Sequence, residues 1–146
     1  MKTFIQIISS VILFGLSSYS FDQESTLEYK FHKIKQKDSC AFYLKISNYT
    51  EGTVTLDKPQ VETTYYLEYR FDESSKFQYD FIGGLSEAPL KFILSPGETK
   101  EFKLGSFSHK EINAFLKRRN KNQLYFRLKY FGYNGQEIYT NILKIK

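Results

Sequence analysis

The sequence contains very little cysteine, histidine and tryptophan, and this scarcity excludes several classes of protein. Its 146 residues include one Cys, two His and no Trp. A single Cys forms no intramolecular disulfide, and zinc sites in proteins are built on sets of Cys and His side chains. Two His residues supply little material for an imidazole-centred active site. We therefore expect neither a disulfide-stapled scaffold nor a bound metal or other cofactor.

Large aromatic residues and lysine are abundant instead. Tyr (12) and Phe (14) give an aromatic content of 18%, and the formal net charge is +5. This proportion of large apolar side chains is incompatible with a disordered chain, and the length suits one domain. Lys greatly outnumbers Arg, and no base-stacking motif is recognisable. We therefore expect no nucleic-acid partner.

Residues 1–20 have the order of a secretory signal peptide. A short positive start precedes a largely apolar run over residues 4–16, and small residues follow at Ser18 and Ser20. The run is shorter than the roughly 20 residues that span a bilayer. We predict cleavage after Ser20 and a secreted or periplasmic domain, residues 21–146, without a stable membrane anchor. The alternative is a leader that stays uncleaved.

Alternation of apolar and polar residues recurs along the rest of the chain and predicts short, half-buried strands. The expected core-facing residues are Leu27, Tyr29, Phe31, Cys40, Phe42, Leu44, Ile46, Val54, Leu56, Tyr65, Leu67, Tyr69, Phe71, Phe77, Tyr79, Phe81, Leu90, Phe92, Leu94, Phe102, Leu104, Leu124, Phe126, Leu128 and Tyr130. A last strand is expected at about residues 137–145, after an Asn134-Gly135 hairpin turn.

One stretch departs from this alternation and predicts a helix at about residues 109–119. Ser108 and Glu111 have the spacing of a capping box. Ile112 and Leu116 fall on one helical face. Basic residues follow in the last turn, where cations complement the helix dipole.

The order of elements predicts the fold class. No βαβ rhythm appears, so the sheets should be antiparallel. We predict an all-β fold, namely a single antiparallel immunoglobulin-like β-sandwich of eight or nine strands with one short helix. A partly closed barrel is the alternative.

A few segments carry a resemblance to known domains. Residues 45–50 end an early strand with Asn at the turn, residues 94–98 (Leu-Ser-Pro-Gly-Glu) open another strand, and residues 125–130 and 139–141 belong to the closing hairpin. In these features the chain resembles the immunoglobulin-like sandwiches of exported bacterial proteins. The Asn and the Pro-Gly-Glu turn also resemble those of the Bacillus-type proteinase inhibitor domain. No inhibitory loop matches residue by residue, so this likeness implies a fold and leaves inhibition as an alternative function.

Few residues have the chemistry of an active site. Cys40 alternates in phase with core residues, so we predict an inert buried thiol, with an intermolecular disulfide as the alternative. His32 lies on the polar phase of a strand and His109 at the helix start, so both are expected on the surface. A glycosidase needs two facing carboxylates, and nothing in the spacing of Glu68 and Asp80 marks them as a pair. We expect a monomer without catalytic residues.

Two groups of residues are candidate binding sites. Three residues at the predicted hairpin tip form the first group, which consists of Phe131, Tyr133 and Asn134. A basic run near the helix end forms the second, which consists of Lys117, Arg118, Arg119 and Lys121. The run either binds an anionic partner or complements the helix dipole. Further tyrosines occupy the polar strand phases, where they form a contact surface or pack across strands; they are Tyr43, Tyr66, Tyr125 and Tyr139.

These features predict an exported, non-catalytic binding module. It acts through surface aromatics and a Lys-rich face on a protein or glycan partner outside the cytoplasm. A small hydrolase of envelope polymers or sugars is the alternative. Asn48 also lies in the Asn-x-Thr pattern of N-glycosylation, for which a turn is the alternative explanation.

Overall fold

The computed structural model describes residues 26–80, 88–132 and 135–146. These ranges contain nine strands and one helix, with the bounds β1 Leu27–Lys35, β2 Ser39–Asn48, β3 Val54–Asp57, β4 Tyr65–Arg70, β5 Lys91–Leu94, β6 Thr99–Ser108, α1 His109–Arg118, β7 Tyr125–Phe131, β8 Glu137–Tyr139 and β9 Leu143–Lys144. The predicted signal peptide lies outside the described residues. Among those described, no helix is long and apolar enough to cross a bilayer.

The strands pair antiparallel and build a sandwich-like fold, as predicted. One sheet has the order β1-β2-β6, a second has the order β4-β7-β8 with β9 also paired to β7, and β3 pairs with β5. The two larger sheets are joined at one side, where the Tyr65 hydroxyl on β4 donates to the Leu104 carbonyl on β6 at 3.3 Å.

The hydrophobic core lies between the two central strands, β2 and β7. Their inward-facing residues are almost completely buried; the largest are Phe42, Leu44, Ile46, Leu128 and Tyr130. Burial of each such side chain stabilises the fold by about 1.5–3 kcal/mol. Burial also raises the pKa of Tyr130. Its hydroxyl donates to the Asp57 carbonyl at 2.6 Å, which satisfies the polar atom inside the core.

Helix α1 ends one residue earlier than predicted and otherwise matches the prediction. Ser108 and Glu111 form the capping box, and Ile112 and Leu116 are buried. The helix stops where Asn120 takes a left-handed φ of 52°. Asn tolerates this conformation better than most residues, because its short side chain bonds locally.

The predicted continuous strand over residues 137–145 is wrong. Strands β8 and β9 flank a break at which the chain reaches the edge of β1. There the Asn141 amide donates to the Phe31 carbonyl at 2.8 Å and accepts from the Phe31 N–H at 2.9 Å. The Asn141 side chain thus replaces a backbone partner on the β1 edge and interrupts the strand.

The expected strand over residues 77–81 is wrong within residues 77–80, and Phe81, which was expected to face the core, lies outside the described residues. Residues 76–80 make one antiparallel bridge, Tyr69 to Gln78. Tyr79 is 51% exposed rather than core-facing, and Phe77 packs on cationic side chains of the outer sheet face. Leu90 is also exposed, because β5 begins only at Lys91.

Asn48 is a buried structural residue at the end of β2. Its Nδ2 donates to the carbonyls of Gly52 (2.8 Å) and Leu94 (2.9 Å), and its Oδ1 accepts from the Thr50 N–H (2.9 Å) and hydroxyl (2.6 Å). All four hydrogen-bonding positions of the amide are therefore occupied. A glycan on Nδ2 would break at least one of these bonds, so the turn accounts for the Asn-x-Thr pattern.

Candidate functional site

The outer face of the β4-β7-β8 sheet carries a dense array of cations and aromatic rings. Residues on β4 and β7 that alternate with the core positions point to this side, and the strand register sets Tyr66 opposite Lys129, Glu68 opposite Arg127, and Arg70 opposite Tyr125. We define the cation–aromatic face as these six residues with Phe77, Tyr79, Phe131, Glu137 and Tyr139. Cross-strand neighbours of this kind interact directly.

Arg127 is at the centre of the cation–aromatic face. Its Nε is 2.6 Å from Glu68 Oε2, which makes a charge-assisted hydrogen bond. Its guanidinium carbon is 4.0 Å from the centre of the Phe77 ring and 4.4 Å from that of Tyr139. Both distances lie within the range of cation–π attraction. The charge of Arg127 is therefore fixed between two rings.

Lys129 repeats this arrangement beside Arg127. Its Nζ is 2.6 Å from Glu137 Oε1 and 5.4 Å from the centre of the Phe131 ring. The hydrogen bond to Glu137 raises the pKa of Lys129, and the same bond lowers the pKa of Glu137. Both groups are therefore charged at neutral pH.

Arg70 continues the array at the other end of β7. Its guanidinium carbon is 4.7 Å from the Phe77 ring centre and 5.6 Å from that of Tyr125. Tyr125 is only 5% exposed, which fits packing across strands, one of the two alternatives that the sequence left open for it. Its hydroxyl lies within hydrogen-bonding distance of two acceptors, Glu73 Oε1 at 3.3 Å and Gln123 Oε1 at 3.1 Å, and its single proton is donated to one of them at a time.

Tyrosine rings form the accessible part of the cation–aromatic face. Tyr79 is 51% exposed and Tyr139 is 48% exposed. The half-buried Tyr66 links Tyr79 to Phe131 at the end of β7, since its ring centre is 5.0 Å from that of Tyr79 and 5.7 Å from that of Phe131. Tyr side chains give a large contact area at little entropic cost. The rings are thus ordered before any partner arrives.

The structure separates the two groups of predicted binding residues. Phe131 lies on the cation–aromatic face, whereas Tyr133 and Asn134 lie outside the described residues. The basic run spans the last turn of α1 and the residues just after it, whereas Phe131 is the last residue of β7.

The residues of the basic run are exposed, and two of them contact a carboxylate or an aromatic ring of the same chain. Arg119 is 3.7 Å from Asp80 and lies over the Phe115 ring at 5.8 Å. Lys121 lies 5.9 Å from the Phe71 ring centre. These contacts fit the interpretation that the cations stabilise the end of α1.

Sequence reasoning missed Arg70, Phe77, Tyr79, Arg127 and Lys129 as site residues. Alternation had already placed Arg127 and Lys129 on the polar phase of β7. Only the pairing of β7 with β4 reveals that they face rings and carboxylates. Arg127 and Glu68 are 59 positions apart, and no local pattern indicates that distance.

The structure does not bring the cysteine and the two histidines together into an active site. Cys40 is buried as predicted, and burial raises the pKa of its thiol. His32 stacks on Tyr43 and its Nε2 lies 3.3 Å from Glu101. His109 is exposed at the start of α1. Among the residues that the structure describes, no group of His, Cys, Asp and Glu side chains is arranged to hold a metal ion.

In comparisons with known proteins, no family model matches this chain and no curated protein is significantly similar to it. The interpretation of the site therefore depends on its geometry alone.

Proposed function

We propose that the protein is an exported, non-catalytic binding module whose contact surface is the cation–aromatic face. One observation carries this proposal: Tyr79 and Tyr139 project into solvent from a sheet face on which Arg127 and Lys129 are already held by carboxylates. A partner that binds there orders few side chains, because the rings and charges are fixed beforehand. Such a surface offers both apolar contact and hydrogen-bond donors.

The placement of the carboxylates supports a non-catalytic role. Glu68 accepts from Arg127 on the outer face of β4. Asp80 accepts from the hydroxyl of Tyr69 at 3.0 Å, and Tyr69 points to the opposite face of that strand. The two carboxylates thus serve separate contacts rather than one cleft, unlike a glycosidase pair. Turnover of envelope polymers that is lost in Glu68→Gln or Asp80→Asn would contradict the proposal.

The strand order supports an immunoglobulin-like type of sandwich. Sheets β1-β2-β6 and β4-β7-β8 correspond to the A-B-E and C-F-G orders of such domains, if β3 is taken as an insertion. The residues that carry the resemblance also meet: Asn48 donates its N–H to the Glu98 carbonyl, and Gly97 donates to the Asn48 carbonyl. Domains of this type serve many functions, so the order supports the architecture alone.

Partner capture by exposed-tyrosine variants tests the proposed surface. The full chain is expressed in its own host, recovered as the host processes it, and used to capture partners from envelope and culture fractions. We expect the double variant Tyr79→Ala, Tyr139→Ala to lose the captured species. Tyr49→Ala is the matched control, since Tyr49 is 50% exposed at the end of β2. Equal capture by the double variant and the wild type would contradict the proposal.

Export has its own test. The mass of the protein recovered from outside the cytoplasm reports its N-terminus. We expect a chain that begins at Phe21. Recovery of the whole chain inside the cell would contradict export without affecting the proposed contact surface.

A further inference from the structure

A cleft lined by both polar and apolar residues opens where the end of β7 approaches the β3-β5 pair. It has a volume of about 430 Å³, and its lining includes Thr55, Asp57, Thr63, Pro89, Lys91 and Phe131. These residues come from three separate parts of the chain, so folding alone brings them together. Phe131 also belongs to the cation–aromatic face, which makes the cleft continuous with that face.

The charged groups of the cleft neutralise each other. Lys91 Nζ is 3.0 Å from Asp57 Oδ1, and both side chains reach solvent. The pair presents carboxylate acceptors and ammonium donors side by side with no excess charge. A strongly anionic ligand would be repelled by the Asp57 carboxylate. An apolar ligand would remove water from both charged groups without offering hydrogen bonds in its place, which costs free energy.

Hydroxyl groups extend this polar wall. The Thr64 hydroxyl is engaged, because it accepts from the Gln60 N–H at 2.6 Å and contacts the Lys58 carbonyl at 3.1 Å. Among the described residues, no hydrogen-bond partner is found for the hydroxyls of Thr55 and Thr63. They are therefore available to a ligand rich in hydroxyl groups.

Phe131 supplies the apolar part of the cleft. Its ring is held edge-to-face against Tyr66, with Lys129 on the ring at 5.4 Å. A fixed aromatic ring beside donors and acceptors suits a ligand that has both an apolar face and a hydroxylated rim. A pyranose ring has this form, since its C–H groups make an apolar face and its hydroxyls both donate and accept.

We propose that this cleft binds a neutral pyranose unit of a glycan. The Phe131 ring packs on the C–H face of the sugar. Asp57 and Lys91 hydrogen-bond neighbouring hydroxyls, and Thr55 and Thr63 bond to others. This inference deepens the proposed function by naming a ligand class, and it rests on that function only in assuming a binding module.

Titration with simple sugars tests the inference. The probes are the methyl glycosides of glucose, galactose, mannose and N-acetylglucosamine, and the β-linked tetramers of glucose and N-acetylglucosamine. The protein is expressed from its full sequence in its own host, labelled with nitrogen-15 and recovered as the host processes it. Each sugar is then titrated into this protein. We expect saturable shifts of the amide signals of Asp57, Thr63 and Phe131 with at least one probe.

Three substitutions assign the binding to the cleft. Phe131→Ala and Asp57→Asn should each raise the dissociation constant about tenfold. Thr63→Val should raise it by a smaller factor. Asp57→Asn keeps the side-chain shape, and the Tyr130 hydroxyl bonds only the backbone carbonyl of that residue. The fold should therefore survive. Lys117→Ala, at the distant end of α1, is the matched control and should leave binding unchanged.

Three results would overturn the inference. One is the lack of a saturable shift with every neutral probe. Another is binding that Asp57→Asn and Thr63→Val leave unchanged. A third is binding of methyl glucuronide in preference to the neutral glucoside. If no sugar binds but the double variant (Tyr79→Ala with Tyr139→Ala) still loses partner capture, the cleft proposal is wrong and the proposed contact surface stands.

Discussion

Arg127 and Glu68 show how single residues on the cation–aromatic face depend on one another. Their side chains are only 26% and 11% exposed, so each charge has lost most of its water. The hydrogen bond and the flanking rings compensate for that loss. Removing one partner would leave the other partly buried and unpaired, whereas removing both would leave no charge behind.

We therefore expect Glu68→Ala to destabilise the protein by about 2–4 kcal/mol. The double variant Glu68→Ala, Arg127→Leu should recover part of this loss, because it contains no unpaired cation. Urea denaturation of the wild type, both single variants (Glu68→Ala and Arg127→Leu) and the double variant measures these differences. A double variant less stable than the single variant by the full effect of Arg127→Leu would contradict the coupling.

Asn48 makes a second prediction for a single residue. Asn48→Ala removes an amide that has four hydrogen bonds and leaves the buried Leu94 carbonyl without its donor. We expect a loss of roughly 3 kcal/mol in the free energy of unfolding. Asn141→Ala, which affects an exposed residue, should cost less. Wild-type stability in Asn48→Ala, or a glycan on Asn48 in a folded chain, would refute the structural role.

Helix α1 shows how far one element can be predicted from local sequence. The Ser108 to Glu111 spacing, the apolar face and the basic last turn all lie within eleven residues, and the helix begins where they indicate. The strands were predicted on the same grounds. Failures occur where a distant residue intervenes: Asn141 bonds β1, and Phe77 stacks on Arg127. Nothing in a local window contains those contacts.

The cap of α1 is a prediction at the scale of one element. Ser108→Ala should destabilise the protein by about 1 kcal/mol, because the Ser108 hydroxyl accepts from the Glu111 N–H. Ser106→Ala, at an exposed position of β6, is the matched control and should be close to neutral. Thermal unfolding compares the two. Equal effects of the two substitutions would contradict the capping role.

The same cap predicts a dependence on pH. Hydrogen bonds from the Ser108 backbone N–H and hydroxyl lower the pKa of Glu111. A carboxyl whose pKa is lower in the folded state contributes stability above its unfolded pKa of about 4.3, and this contribution disappears as pH falls through the folded value. We expect Glu111→Gln to be less stable than wild type at neutral pH, with a difference that shrinks below about pH 4. A difference that stays constant with pH would refute this.

At the scale of the whole molecule, the sandwich serves to bring distant side chains onto one rigid surface. Strand β7 pairs with β4, β8 and β9, so residues from separate parts of the sequence share the cation–aromatic face. The sequence predicted the fold class and the buried Cys40. Of the residues in the proposed contact surface, it singled out Phe131 and the tyrosines Tyr66, Tyr125 and Tyr139. The basic run became the second candidate group because consecutive charged residues can be recognised in the sequence without knowledge of the fold. A surface assembled across strands becomes visible only when the pairing of the strands is known.

Site-specific photocrosslinking tests the central claim most directly. A benzoylphenylalanine residue replaces Tyr139 on the cation–aromatic face, Tyr49 at the end of β2 or Lys117 on α1, and each chain is irradiated in its own host. We expect a covalent adduct with one partner from position 139 and none from positions 49 and 117. An adduct from position 117 or 49, with none from position 139, would contradict the proposed contact surface.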